Sequence, residues 1–431
     1  MVRYHKIDPS LFVDNRKKLA QHLKPNSLVV LNANDLMPTN ADGVMPFQQN
    51  SDLFYLSGID QEETILVLYP DAKQAQWKEM LFLKKTDEQM MIWEGQKYTQ
   101  EEARATAGIE HVHWLDEFNA IFHTLMGQVD QVYLNTNEHA RADVVVQTRD
   151  ARFIAWCKQH YPLHRYERLA PIMQYLRAVK SPIEIELMRE ACVITEKGFR
   201  KVLPLINPGI MEYEIEAALI GEFIRHRARG FAYEPIVASG ANACVLHYHA
   251  NNQPCQAGDT ILLDAGATYA NYCADLTRVI PVDGRFTQRQ RAVYDAVLRV
   301  MRQAQQMLIP GNDLITYHRA VGEVMEQELV GLGLLDRTDI KHQDPKKPAY
   351  KKYFMHGTSH HIGLDTHDVG DVHRKFEPGM VFTIEPGIYI REEGLGIRLE
   401  NDYVIREDGP ENLMATIPIE AEEIEALMHQ R

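Results

Sequence analysis

The side chains best suited to chemistry in this 431-residue chain crowd into five short stretches of its second half. The stretch 261–267 reads Ile-Leu-Leu-Asp-Ala-Gly-Ala, an apolar strand ending in the carboxylate of Asp264. Asp275 follows eleven positions later, so a strand, a turn and a returning strand would set the two aspartates side by side. The stretch 356–370 carries His356, His360, His361, Asp365, His367 and Asp368 among glycines. Glu385 precedes Pro386-Gly387, and Arg398 and Glu400 close the set.

Each has an ordinary use when taken alone. A strand-end aspartate caps a turn. Arg398 and Glu400 have strand spacing and could form a surface ion pair. His356 and His360 could share a helix face, but Gly357, Thr358 and Gly363 argue against a helix there. The combination points elsewhere. Asp264, Glu385 and Glu400 sit in or beside strongly apolar strands, and burying carboxylates together costs several kcal/mol per ion unless cations neutralise them. Arg278 and Arg398 are the only obvious cationic side chains in these stretches. Two divalent ions would bring four carboxylates, one imidazole and a hydroxide close to neutrality. A carboxylate-rich, thiol-free set suits hard ions such as Mn²⁺ better than structural Zn²⁺. In hydrolases a two-metal site makes a nucleophilic hydroxide at neutral pH and polarises the attacked carbonyl.

The elements that must position these groups form two regions. The first alternates strand-like runs at 27–31, 64–68, 80–83 and 131–134 with helical segments such as 99–107, an α/β pattern with one small sheet. The texture changes between about Arg168 and Lys180. Ser181-Pro182-Ile183-Glu184 is a helix start with a capping box, and the helix runs to about Val202. A second helix is expected from Glu212 to Arg229, stopped by Gly230. Thr287 and Gln290 open a third. Strands follow at 260–263, 380–384, 387–390 and 397–405, giving long helices over a mostly antiparallel sheet. The Lys- and Pro-rich segment 341–352 reads as a solvated loop.

Composition limits the partners. Hydrophobic residues make up 45% of the chain and the formal net charge is -14. That balance argues against a nucleic-acid surface, which needs concentrated Lys and Arg. No apolar run approaches the roughly 18 residues of a membrane span, and the first residues have no apolar core of a signal peptide. The five cysteines are scattered without Cys-x-x-Cys spacing, as expected of reduced thiols in a cytoplasmic protein.

The five stretches resemble the pita-bread metallopeptidase family, which contains methionine aminopeptidase, aminopeptidase P and prolidase. The family order Asp, Asp, His, Glu, Glu is matched by Asp264, Asp275, His360, Glu385 and Glu400. The aminopeptidase P branch is the nearest. Its His-Gly-x-Ser-His…Gly-Leu-Asp-x-His-Asp-Val-Gly run stands at 356–370, and its Asn-Ser-Asp-x-x-Tyr-x-x-Gly run at 50–58. One departure is Gln48-Gln49, where relatives often carry an Arg. The resemblance implies an α/β N-terminal domain of the creatinase/aminopeptidase-P type (1–172) and an α+β pita-bread catalytic domain (173–431). It implies release of the first residue from peptides with proline second. It implies that Asp264 chelates one metal, that His360 and Glu385 bind the other, and that Asp275 and Glu400 bridge both. Glu385 would also shuttle protons. His247, His356 and His367 match histidines that contact substrate and the tetrahedral species. Arg398 would orient a ligand carboxylate at the substrate site. Asp35 would meet the substrate ammonium, and Trp93 would lid a neighbouring subunit's site in a homodimer or homotetramer. Prolidase, restricted to X-Pro dipeptides, is the alternative; Thr358-Ser359 speaks for aminopeptidase P, because prolidases tend to carry Gly-Leu-Gly in that run. A metal-free binding protein or a creatine-type amidinohydrolase on the same fold would be expected to lack part of the ligand set.

Overall fold

The computed structural model describes residues 2–429. The chain divides after Arg177 into two compact units. The first is built on one six-stranded mixed sheet. Its strands lie in the order His111–Trp114, Glu79–Leu83, Ile65–Leu68, Ser27–Asn32, Gln131–Leu134 and Arg165–Arg168. The strand Ser27–Asn32 is buried along its whole length and pairs antiparallel with Ile65–Leu68 and parallel with Gln131–Leu134. Its unbroken apolar run is what a strand covered on both faces requires. The helix Gln100–Ala107 starts where a capping box forms: Thr99 Oγ1 accepts from the Glu102 N–H, and Glu102 reaches back to the Thr99 N–H. Two strands of this sheet lack an apolar run. Arg165–Arg168 is a half-exposed edge, and His111–Trp114 has one fully buried residue.

Asp150, in the first turn of the helix Arg149–His160, accepts from Asn32 Nδ2 at 2.9 Å. Burial holds its carboxyl up at about 7, against the help of Asn32 and with Asp52 adding to the rise.

In the second unit, Pro182–Val202 is a helix with Ser181 as cap, Glu184 closing the box and Pro182 in the first turn. The next helix, Glu212–Arg225, ends four residues before the expected Arg229. Arg227 takes a left-handed φ of 75° and the Ala228 N–H returns to the Phe223 carbonyl. This is a Schellman-type ending built on a non-glycine residue, which composition does not signal. Gln288–Met307 opens on the Thr287–Gln290 box. Leu314–Gly331, capped by Asp313, is a further long helix.

The strands of the second unit are all antiparallel. Thr260–Asp264 is the centre of a three-stranded sheet between Ile236–Ser239 and Thr277–Pro281. The expected single strand 397–405 is two strands, Leu395–Arg398 and Asn401–Arg406. The first pairs with Gly387–Ile390 and the second with Val381–Ile384. Ile384 faces Asn401 and Gly387 faces Arg398. Both ladders therefore keep one register, which sets Glu385 opposite Glu400 across a break in a long hairpin. Pro386 lacks the N–H that would continue the ladder. Among the described residues no helix is long and apolar enough to cross a membrane.

The Asp150 carboxyl gives a pH test. Its folded-state pKa lies above the unfolded value, so the native state binds more protons between about pH 4 and pH 7, and its contribution to stability falls as pH rises through that window. Asp150→Asn removes the penalty. Unfolding curves at pH 5 and pH 8 are expected to show the variant gaining on the parent at the higher pH, on the order of 1 kcal/mol. An equal difference at both pH values would contradict the assignment.

Candidate metal centre

The site grows from strand ends. Asp264 ends the central strand of its sheet, and Thr277 faces it in register on the returning strand. Asp275 lies two residues before Thr277. Gly266, in the intervening turn, is needed for close approach: a Cβ there would lie 1.7 Å from the Ala274 carbonyl oxygen. The Tyr233 hydroxyl sits between the aspartates, 2.6 Å from Asp264 Oδ1 and 2.6 Å from Asp275 Oδ1. Glu400 joins through an isolated bridge to Thr277. Its N–H donates to the Thr277 carbonyl, and the Thr277 hydroxyl donates to Glu400 Oε2 at 2.6 Å. Glu385 comes from the opposite side of the hairpin break, with its N–H held by the Thr358 carbonyl at 2.8 Å.

The electrostatics are those of a site built for cations. Asp264, Asp275 and Glu400 are 7%, 5% and 2% exposed. Burial pushes the carboxyls of Asp264 and Glu400 upward, and that of Glu385 to about 7. Burial alone would push the His360 imidazole down, but Asp275 and Glu385 hold it up at about 9. A cation bound at the centre would take the place of that proton. The ring is already turned for it. His360 Nδ1 lies 2.9 Å from the His361 carbonyl, an acceptor only, so Nδ1 carries the hydrogen and Nε2 faces the carboxylates. Nε2 is 3.5 Å from Asp275 Oδ2 and 3.6 Å from Glu385 Oε1. These are too long for good hydrogen bonds. They match the roughly 3–3.5 Å separation of ligand atoms that share one ion at about 2.1 Å. Asp275, His360 and Glu400 each offer a ligand atom within 4.8 Å of the others.

Among the described residues Arg398 is the one arginine that meets these carboxylates. Its Nη2 reaches Asp264 Oδ2 at 2.5 Å, its Nη1 the Tyr389 hydroxyl at 2.8 Å, and its Nε the Thr277 hydroxyl at 3.2 Å. Arg278 does not neutralise the cluster. Its guanidinium is spent on the carbonyls of Pro418, Thr277 and Glu400 and on Asn401 Oδ1, so it braces main chain.

Two further histidines lie beside the cluster, His356 next to Glu385 and His367 next to His360. His356 Nδ1 donates to the Gly357 carbonyl, Nε2 accepts from the Tyr389 hydroxyl at 2.8 Å, and burial pushes the ring down to about 3. It is therefore neutral at working pH, and its Nδ1 lies 3.5 Å from Glu385 Oε2. His367 is exposed, with its ring centroid 4.5 Å from that of His360. His247 is exposed in the 240–253 segment of the same unit. His361 is buried against Phe382 instead of joining the cluster. Asp35 and Trp93 belong to the first unit. The Asp35 carboxylate is engaged there by Arg152 and by the Arg149 N–H, and Trp93 is 79% exposed at the end of the helix Glu88–Trp93.

The family model for metallopeptidase family M24 matches residues 186–407, and that for the aminopeptidase P N-terminal domain matches residues 12–133. The chain belongs to metallopeptidase family M24, in its aminopeptidase P branch. It is 36% identical to the Xaa-Pro aminopeptidase of Escherichia coli, with 97% of each chain covered. It is 32% identical to human Xaa-Pro aminopeptidase 3 over 93% of this chain and 81% of that one. Its structure is similar to Pseudomonas aeruginosa aminopeptidase PepP, with a TM-score of 0.89, 32% identity and 98% of each chain covered. It is likewise similar to a Glu-to-Ala variant of Escherichia coli aminopeptidase P in complex with substrate, with a TM-score of 0.87, 35% identity and coverage of 98% and 99%. The M24 family of metallopeptidases carries divalent metal ions, and the donor set here fits them.

Sequence reasoning missed Tyr233, Thr277, Tyr389 and Asp402. Asp402 is fully buried and its Oδ2 accepts the Asp275 N–H at 3.1 Å. Register is the signal for Thr277, which stands opposite Asp264. Tyr233 lies in an irregular stretch 31 positions before Asp264, where no pattern points to it.

Gly266→Ala tests the turn. The added methyl meets backbone, so the aspartates must move apart. The variant is expected to keep its circular dichroism spectrum, lose bound metal and fall about 100-fold or more in activity. Full metal content with full activity would refute the close-approach argument.

Proposed function

We propose that this chain is an Xaa-Pro aminopeptidase that uses two divalent ions, Mn²⁺ first among them, and works in the cytoplasm on proline-containing peptides. The observation that carries the reading is the convergence of buried Asp264, Asp275 and Glu400 with half-buried His360 and Glu385, with His360 Nε2 turned inward and Arg398 braced on Asp264. Asp264 would help to hold one ion, His360 and Glu385 the other, and the carboxylates of Asp275 and Glu400 would be available to both. The ions supply polarisation of the scissile carbonyl and a lowered pKa for water.

The chain's own groups do the rest. Glu385, with burial raising its carboxyl to about 7, accepts a proton from the attacking water and returns it to the departing proline nitrogen. That nitrogen belongs to a tertiary amide with no N–H, so the site needs a proton donor there and no acceptor. His356 is kept neutral and is held by Tyr389, which Arg398 holds in turn. The exposed edges of His247 and His367 meet the substrate's polar atoms and the developing oxyanion. Asp35 and Trp93 are proposed contacts for the substrate ammonium and for a neighbouring subunit's site, in a homodimer or homotetramer. The prolidase alternative is not favoured, since the full-length relatives reported above are aminopeptidases.

Metal-stripped protein restored with Mn²⁺ is expected to release the first residue from an X-Pro-Y tripeptide and to leave X-Ala-Y essentially uncut. Asp264→Asn and Glu400→Gln are each expected to abolish turnover and weaken metal binding. Cleavage of the X-Pro dipeptide alone would make the protein a prolidase, and full activity in either variant would overturn the ligand assignment.

A further inference from the structure

Glu212 opens the helix Glu212–Arg225 and is completely buried. A buried carboxylate is tolerated only when donors fill its lone pairs. Here the donors sort by oxygen. Oε1 accepts from the Ser239 N–H at 2.8 Å, the Ser239 hydroxyl at 2.7 Å and Asn242 Nδ2 at 3.3 Å. Oε2 accepts from the Tyr248 hydroxyl at 2.8 Å and the Gln253 N–H at 2.9 Å. Ser239 and Asn242 precede His247 in the chain, and Tyr248 and Gln253 follow it. One carboxylate therefore grips both legs of the segment whose exposed middle carries His247.

Neighbouring contacts stiffen the same segment. The Glu212 N–H donates to the Gln253 carbonyl at 3.1 Å. Asn251 Oδ1 accepts from the Val237 N–H, and its Nδ2 donates to the Pro235 carbonyl, so the second leg is also tied to the strand that leads into the first. On the other side, Gly396 lets the first leg lie against Leu395–Arg398: a Cβ there would stand 2.3 Å from the Ala243 carbonyl oxygen. That strand ends in Arg398, so the loop is fixed to the element that braces Asp264. Burial, helped by Glu212, pushes the Tyr248 hydroxyl up to about 12 and keeps it a donor. The five hydrogen bonds require an acceptor-only partner, which an ionised carboxylate is and an amide is not.

We infer that Glu212 is a positioning residue for substrate binding: its carboxylate clamps the two legs of the 239–253 segment and fixes where His247 meets the peptide. The inference rests on the aminopeptidase reading of the site for the role of His247, while the clamp itself does not. Glu212 touches neither substrate nor the metal ligands, and nothing in the sequence motifs marks it.

A double-mutant cycle on the metal-loaded enzyme separates positioning from mere stability. With an X-Pro-Y tripeptide, His247→Ala and Glu212→Gln are each expected to lower kcat/KM by about 10- to 100-fold, with bound metal unchanged. The double variant is expected to be no worse than His247→Ala alone. If the two losses multiply, Glu212 acts independently of His247 and the inference fails. Should Glu212→Gln fail to fold, Tyr248→Phe removes a single donor and takes its place in the cycle, with a smaller loss. Hydrogen exchange gives a readout that does not need turnover. In Tyr248→Phe, amides of 245–252 are expected to exchange faster while those of Thr260–Asp264 do not change. Unchanged exchange at 245–252 would overturn the clamp. A parent enzyme silent on the tripeptide would instead remove the aminopeptidase reading, with the exchange result standing or falling separately.

Discussion

The second unit is organised around a repulsion. Asp264, Asp275, Glu385 and Glu400 converge where little water reaches, and among the described residues the only arginine that meets them is Arg398. Negative charges packed this way cost several kcal/mol each unless cations enter or protons neutralise them. The raised carboxyls of Asp264, Glu385 and Glu400, and the imidazole of His360 held at about 9, are two faces of that strain. Folding alone does not favour such a cluster. It persists because each member is fixed by elements whose own stability comes from elsewhere: the buried sheet around Thr260–Asp264, the hairpin 381–406 and the guanidinium of Arg278 on the main chain.

The break in the hairpin is the economical part of this arrangement. A continuous ladder would alternate side chains across both faces. The Leu399 N–H still reaches the Pro386 carbonyl, but the N–H groups of Glu385 and Glu400 turn outward to the carbonyls of Thr358 and Thr277, so the hairpin keeps its register, sets two glutamates opposite each other and hands the strand over from one small sheet to the next. The same handover delivers Arg398, at the end of one strand, two residues before Glu400 at the break, so the guanidinium that restrains Asp264 and the Glu400 carboxylate arrive on one arm of the hairpin. From Arg398 the hydrogen bonds run through Tyr389 to His356, linking the Asp264 carboxylate to that imidazole.

Much of this was legible in the sequence, for physical reasons that differ by residue. Asp264 was legible only in combination with Glu385 and Glu400, because several carboxylates in or beside apolar strands are costly to bury without cations, and the helix starts at Ser181 and Thr287 because capping boxes are local. The strand at 397–405 was misjudged because its apolar pattern continues through the break; the interruption is set by the partner strand's proline. The helix end at Arg227 was missed because its left-handed turn is made by an arginine. Arg278 counts in the sequence as one of two nearby cations, too few for the carboxylates, and the structure removes it from that count because sequence gives a residue's charge but not which way it points. Tyr233, Tyr389 and Glu212 were not legible at all: each acts through contacts with segments distant in sequence, and their types are common in any core.

The measurement that bears most directly on this account is unfolding of metal-stripped protein with and without Mn²⁺, paired with a count of bound ions. If cations relieve the repulsion, the parent binds two ions per chain and gains stability, about 2.7 kcal/mol for each site held at 100 times its Kd. Glu400→Gln, which removes one of the proposed ligand carboxylates, is expected to lose most of that gain. If the stripped protein is as stable as the loaded one and binds no stoichiometric metal, the carboxylates are neutralised by their own protons, and the metal-centred account is wrong.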